Sequence, residues 1–154
     1  MSAVRKNTKR RGAIALPCLC ANLRRAARVV TQMYDEALRP SGLRAPQFAL
    51  LQALSLAPGI SQKGLARVLA FDSTTLTRTL DLMRKKSWVR SEIGEDRREL
   101  RLFLTEGGLE EYKHAMPYWQ LAQKRLKAEL GEAGWSEIER ASMRVADLAA
   151  LREG

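Results

Sequence analysis

Residues 72–78 read Asp-Ser-Thr-Thr-Leu-Thr-Arg, which puts four hydroxyls and a guanidinium inside seven positions. Hydroxyls both donate and accept, and arginine offers a planar fork of donors. Such a set suits base edges and phosphate oxygens better than bond-breaking chemistry. A second group follows at Asp96-Arg97-Arg98-Glu99, where paired guanidiniums crown a polar stretch that opens on Gly94. Catalytic alternatives find little to use. His114 is the only histidine, no glycine-rich phosphate loop is present, and no nucleophile–base pair suggests itself. Neither a cofactor nor a metal site is expected, because two cysteines and one histidine give a Cys/His zinc centre little support.

The elements that must carry these groups can be read from periodicity. Pro17 suits the first turn of a helix running over about 17–38, with Leu19, Leu23, Ala26, Ala27, Val30, Met33, Tyr34 and Leu38 at three- and four-residue steps. Arg39-Pro40-Ser41-Gly42 breaks it, and a second helix starts near Ala45-Pro46 and ends at Pro58-Gly59. Ser61 caps a short third helix with Leu65, Ala66 and Leu69 facing inward. After a turn at Ala70-Phe71, Asp72 or Ser73 caps a fourth helix to about Lys86, with Leu76, Leu80 and Met83 as its buried stripe. Two short helices across a tight turn, the second with a polar outer face, form a helix-turn-helix. The period then changes to two: Trp88 to Ile93, and Leu100, Leu102 and Leu104 alternating with Arg101 and Phe103, predict a two-stranded wing. Helix returns from Glu106; Pro117 should kink it or begin a new segment, and Gly131 and Gly134 separate a last helix. The expected fold is mainly α with a small β-wing: a winged helix-turn-helix lobe over about 45–105, and terminal helices over about 17–38 and 106–152.

Composition agrees. The 154 residues suffice for one domain, and 27 basic against 17 acidic side chains leave +10, which favours polyanionic partners. Residues 1–12 hold five of the cations and no acid, and their lack of periodicity predicts a disordered basic arm ahead of a single domain over 13–154. Ala13-Ile14-Ala15-Leu16 is too short for the apolar core of a secretory signal, and no stretch approaches the roughly 18 apolar residues of a membrane span, so a cytoplasmic location without membrane partners is expected. Cys18 and Cys20, two residues apart, would point in different directions on a helix, which disfavours a disulfide between them.

From about residue 18 onward the chain resembles the MarR (multiple antibiotic resistance regulator) family of transcription factors. The strongest match is Asp96-Arg97-Arg98-x-x-x-Leu102-x-Leu104-Thr105-x-x-Gly108, similar to the family's wing signature. Leu65-Ala66-x-x-Leu69 with Ser73-x-x-Leu76-Thr77-Arg78 resembles its helix-turn-helix, and Gly42-Leu43-x-x-x-Gln47-Phe48 the start of its second helix. The chain departs from the pattern at Arg44 (usually Thr), Gly64 (commonly Glu) and Ser87 (usually Gly), which bears on local stability more than on binding.

The resemblance implies a homodimer with intertwined terminal helices, binding a near-palindromic double-stranded DNA operator and acting as a repressor. Ser73, Thr74, Thr75, Thr77 and Arg78 are assigned to the major groove. Arg97 and Arg98 are the wing-tip candidates for the neighbouring backbone or minor groove, with Asp96 orienting one of them by an ion pair. Arg84, Lys85, Lys86 and Arg90 serve phosphates or solvent. Release by a small effector is the family's commoner arrangement, and an anionic aromatic would suit Tyr34, Tyr118 or Trp119, residues that core packing also explains. Leu19-Cys20-x-x-Leu23-x-x-Ala26-Ala27-Arg28 resembles the first helix of the organic-hydroperoxide-sensing branch, which implies Cys20, ahead of Cys18, as a redox sensor; Arg24 stands where that branch has a tyrosine. A winged-helix protein-interaction module without DNA binding is the rival of a different class.

Overall fold

Hydrophobic spacing places the first helix, α1 (Leu19–Leu38), one residue after its N-cap Cys18; Pro17 makes the bend ahead of the helix rather than its first turn. The side chain of Asn22 donates to the Leu16 carbonyl at 2.6 Å and ties the leading segment to the helix. The computed structural model describes residue 14 and residues 16–150, so the arm expected over 1–12 and the helix end expected at 151–152 lie outside the described residues.

A 3₁₀ turn, Arg39–Ser41, closes on left-handed Gly42, and α2 (Ala45–Leu56) follows. Arg44 cannot cap as a threonine would. Instead Gln47 Oε1 accepts the Arg44 N–H at 2.9 Å, and Asp35 Oδ1, reaching over from α1, accepts the Ala45 N–H at 2.7 Å. A carboxylate from a neighbouring helix thus takes one of the free donors at the helix start, at its positive dipole end.

The next elements are β1 (Ile60–Ser61), α3 (Gln62–Leu69), α4 (Ser73–Lys85), β2 (Val89–Ile93) and β3 (Leu100–Leu104). Both caps fall where expected: Ser61 Oγ accepts the Gly64 N–H at 3.0 Å, and Asp72 Oδ1 the Thr75 N–H at 2.8 Å. The sheet has three strands in the order β1-β3-β2, all antiparallel, rather than the expected two. The extra strand is two residues long, too short to show a period of two. Ser87 makes the turn after α4 with φ 57, the left-handed conformation its position requires of a residue that is not glycine.

The last helix, α5 (Glu106–Ala150), stays helical through Pro117, contrary to the new segment allowed for there; its one non-helical residue is Gly131, at φ 70 and ψ 167. Ala115, Trp119 and Ala122 hold the proline turn on the core, whereas Gly131 has a conformation that side chains exclude. The core joins Leu38, Leu43, Phe48, Leu51 and Leu54 to Leu65, Leu76, Leu80, Met83 and Leu102. Phe48 is flanked by Tyr112 at 5.4 Å and Trp119 at 5.7 Å, which fastens α2 to α5. Apolar side chains of α1 and of the far part of α5 remain uncovered. Leu19 is 70% exposed, Leu23 46%, Ile138 52% and Met143 63%.

Candidate nucleic-acid interface

Helical geometry sorts the polar residues of α4 by their relation to the buried stripe of Leu76, Leu80 and Met83. Thr74 and Arg78, one turn apart, lie opposite the stripe with Lys85 beyond them, and all three are exposed. Ser73 and Thr77 flank the stripe on one side, and Thr75 on the other. Thr75 is already engaged: its hydroxyl donates to Asp72 Oδ2 at 2.6 Å while its N–H binds the other carboxylate oxygen. These bonds, the side-chain one first and the backbone one next, hold the Asp72 carboxyl below its ordinary pKa. Thr75 therefore builds the helix start, and Thr74 and Arg78 present its outer surface.

The wing stands on the Ser73 side of α4. Arg84, one more turn along that flank, donates to Ser91 Oγ on β2 at 2.9 Å and ties strand to helix. At the tip the Gly94 N–H donates to the Glu99 carbonyl at 2.8 Å, and Asp96 Oδ1 accepts the backbone N–H of Arg98 at 3.0 Å. The ion pair expected of Asp96 is thus replaced by a turn-forming bond: its carboxylate shapes the loop that carries the arginines. Both guanidiniums are exposed and have no ion pair among the described residues. Arg98 and Ser73 line one crevice of about 440 Å³, with Leu76, Leu100, Lys63 and Ala66.

Of the four further cations, three have intramolecular work. Arg84 also pairs with Asp81 at 3.3 Å, Lys86 sits 4.4 Å over the Trp88 ring, and Arg90 packs 4.6 Å over Phe103 and pairs with Glu92. Lys85 has no such partner among the described residues, and it shares the face of Thr74 and Arg78.

A sequence description of the MarR family matches residues 41–99, which run from the turn before α2 to the wing tip. An uncharacterized HTH-type transcriptional regulator of Bacillus subtilis (strain 168), YwoH, is 30% identical over 95 residues, covering 62% of this chain and 69% of that protein. The crystal structure of the M. tuberculosis transcriptional regulator MosR in complex with DNA is similar at 37% identity and a TM-score of 0.76, over 87% of this chain and 97% of that one. The chain belongs to the MarR family. A mutant E. coli MarR complexed with operator DNA is similar too, at 26% identity and a TM-score of 0.74, over 82% of this chain and 92% of that one. This MarR-family chain is accordingly a transcriptional regulator with a winged-helix fold.

The remaining candidates are dispersed across this MarR-family fold. Cys18 and Cys20 are free and exposed; Cys18 is the extended N-cap, at φ −97 and ψ 114, so the two do not share a helix, contrary to the expectation from their spacing. Of the three aromatics, Trp119 lines an open cleft of about 380 Å³ with Lys124, Lys127 and Trp135. Tyr34 approaches it through Gln123, whose Oε1 accepts the phenol O–H at 2.8 Å, and burial raises the pKa of that phenol. Tyr118 packs edge-on against His114 at 5.9 Å and does not line that cleft. Sequence reasoning missed Lys63 and Trp135. Lys63 was findable, because the first helix of a helix-turn-helix crosses the backbone; Trp135 lies past the non-helical Gly131, where periodicity does not show which face it meets. Among the described residues no helix is long and apolar enough to cross a membrane, and no group of three or more His, Cys, Asp or Glu side chains is arranged to hold a metal ion.

Proposed function

We propose that the protein is a homodimeric, sequence-specific repressor that binds a near-palindromic DNA operator in the cytoplasm, without catalysis. The observation that carries this reading is the alignment of Thr74, Arg78 and Lys85 on one exposed face of α4, beside a wing whose tip arginines have no intramolecular ion pair among the described residues. A helix of this shape fits the major groove, and arginines on a ribbon fit the adjoining backbone or minor groove. The DNA complexes of MosR and of E. coli MarR support it. A second copy would cover the apolar chain ends and set two recognition helices roughly 34–36 Å apart, one turn of the duplex. Release follows when a small ligand favours a dimer whose helices are wrongly spaced. The Trp119–Trp135 cleft, with Lys124 and Lys127, suits an anionic aromatic.

Selection of bound sites from random duplex tests the reading. The parent should enrich an inverted repeat, and Arg98→Ala should bind it at least about tenfold more weakly. Unchanged binding by the variant removes the wing from the interface. A protein-interaction module would show no duplex affinity to lose as salt rises.

Exposure of both thiols favours one second reading. A hydroperoxide would oxidise the Cys20 thiolate to sulfenic acid and itself be reduced to the alcohol, loosening the dimer at α1. Cys20→Ser should then abolish peroxide-triggered release from the operator. Release that persists in this variant excludes Cys20 as the sensor.

A further inference from the structure

We propose that Gln123 selects the ligand of the Trp119–Trp135 cleft: with its carbonyl oxygen held by Tyr34, its amide shows the cleft only N–H donors, so the aromatic anion bound there carries a second group that accepts a hydrogen bond. This rests on the cleft being the effector site, as proposed above, and adds what the effector must contain and which residue reads it. The constraint begins on α1. Tyr34 and Gln123 stand 89 positions apart, so only the folded chain brings them together. The phenol O–H donates to Gln123 Oε1 at 2.8 Å, where both side chains are half-buried. Burial raises the pKa of the phenol, so the donor keeps its proton across the neutral range. A free glutamine amide can turn either edge toward a partner. Turning this one over would take from the phenol O–H the one acceptor it has among the described residues.

The rest of the lining sorts in the same way. The Gln123 amide nitrogen has no protein partner among the described residues, and Gln123 lines the cleft, so its two N–H groups are what a ligand meets. Gln120 lines it too, but no bond turns its amide, which adapts to either kind of group. Lys127 is paired with Glu132 at 3.0 Å, while Lys124 has no ion pair among the described residues. Lys124 is therefore the cation left for the ligand's charge, and it adjoins Gln123 in the chain. Trp119 is steadied by stacking on Phe48 at 5.7 Å, and with Trp135 it supplies ring surface for an aromatic body. Charge and ring alone would admit many compounds. The fixed amide narrows them to those with an acceptor, such as a carbonyl oxygen, beside the anionic group.

Benzoates that differ in one substituent give a direct test: acetyl, which accepts; isopropenyl, of nearly the same shape but without polar atoms; and amino, which chiefly donates. Each is tried at the ortho, meta and para positions by calorimetry on the full chain. The best acetyl isomer should bind about tenfold more tightly than its isopropenyl match, and the amino compound should bind most weakly. Gln123→Met, similar in length but without donors, should bring the acetyl-to-isopropenyl ratio to about one. Tyr34→Phe should keep the acetyl affinity within about twofold and raise the amino affinity about fivefold, because the released amide can then turn. A tyrosine that served packing alone would shift all three compounds together. Lys124→Ala should weaken all of them alike, by about fivefold, since they share the carboxylate. Acetyl and isopropenyl compounds that bind the parent equally at every position, or an amino compound unmoved by Tyr34→Phe, overturn the role of Gln123 and leave the cleft as the effector site. A parent that binds none of these compounds overturns the cleft reading, and this inference with it.

Discussion

Gly108→Ala should cost about 3 kcal/mol and lower the melting temperature by roughly 6–12 °C, while its neighbour Gly107→Ala should cost nothing. Both glycines lie in the first turn of α5, but they face different surroundings. A Cβ on Gly108 would lie 2.9 Å from the Trp88 carbonyl carbon and 3.1 Å from its Cα, and closer still to the carbonyl oxygen. These are backbone atoms, so no rotamer relieves the overlap. The Trp88 carbonyl is also fixed, because it accepts the Thr105 N–H at 3.0 Å, and Thr105 Oγ1 donates to the Ser87 carbonyl at 2.6 Å. Relief therefore requires α5 to move away from the strand that carries the wing. On Gly107 the nearest atoms would be 3.9 Å away, and a helical Gly→Ala exchange ordinarily stabilises by about 0.5–1 kcal/mol. Thermal melts of the two variants decide the point. Equal melting temperatures would mean that close approach is not what Gly108 provides.

That contrast marks how far the sequence alone could be read. The helix-turn-helix was legible, because Ser61 and Asp72 are caps with a physical signature and Leu76, Leu80 and Met83 recur at helical spacing. The wing was legible from the alternation in 100–104. Periodicity, however, assigns a face and not a partner. It grouped Ser73, Thr74, Thr75, Thr77 and Arg78 as one contact surface, but Thr75 belongs to the cap and Ser73 to the crevice. It also left Arg84, Lys86 and Arg90 open between phosphate and solvent, when each has a partner inside the lobe. Of the two breaks expected in the last third, one was legible and one was not: Pro117 carries the stronger local signal, yet its turn is held by core packing, and the chain bends at Gly131, as the glycines there led one to expect. The aromatic trio separates as well: Trp119 lines the cleft beside Trp135, Tyr34 reaches it through Gln123, and Tyr118 packs on His114.

If the proposed dimer forms, Leu23→Glu should leave the fold intact, turn that dimer into monomers and weaken binding to the proposed operator at least about a hundredfold. The side chain is 46% exposed in the single chain, so a carboxylate there meets water and the core does not register it. Across the proposed twofold interface the same change would bury two charges in a surface to which Leu19, Ile138 and Met143, open in the isolated chain, would also contribute. Leaving a charge unpaired in such a contact costs about 3–5 kcal/mol, more than most interfaces of moderate affinity can spare. The effect on DNA is larger than any single lost contact. A linked pair of half-site readers gains about 10²–10⁴ over one reader, and a monomer forfeits all of it. Sedimentation should show a monomer with an unchanged circular dichroism spectrum. Affinity for an isolated half-site should match the parent's, while affinity for the full repeat should fall to near that level. If the variant stays dimeric and holds the full operator as the parent does, the exposed chain ends serve some other contact, and two-half-site recognition must be built on a different surface.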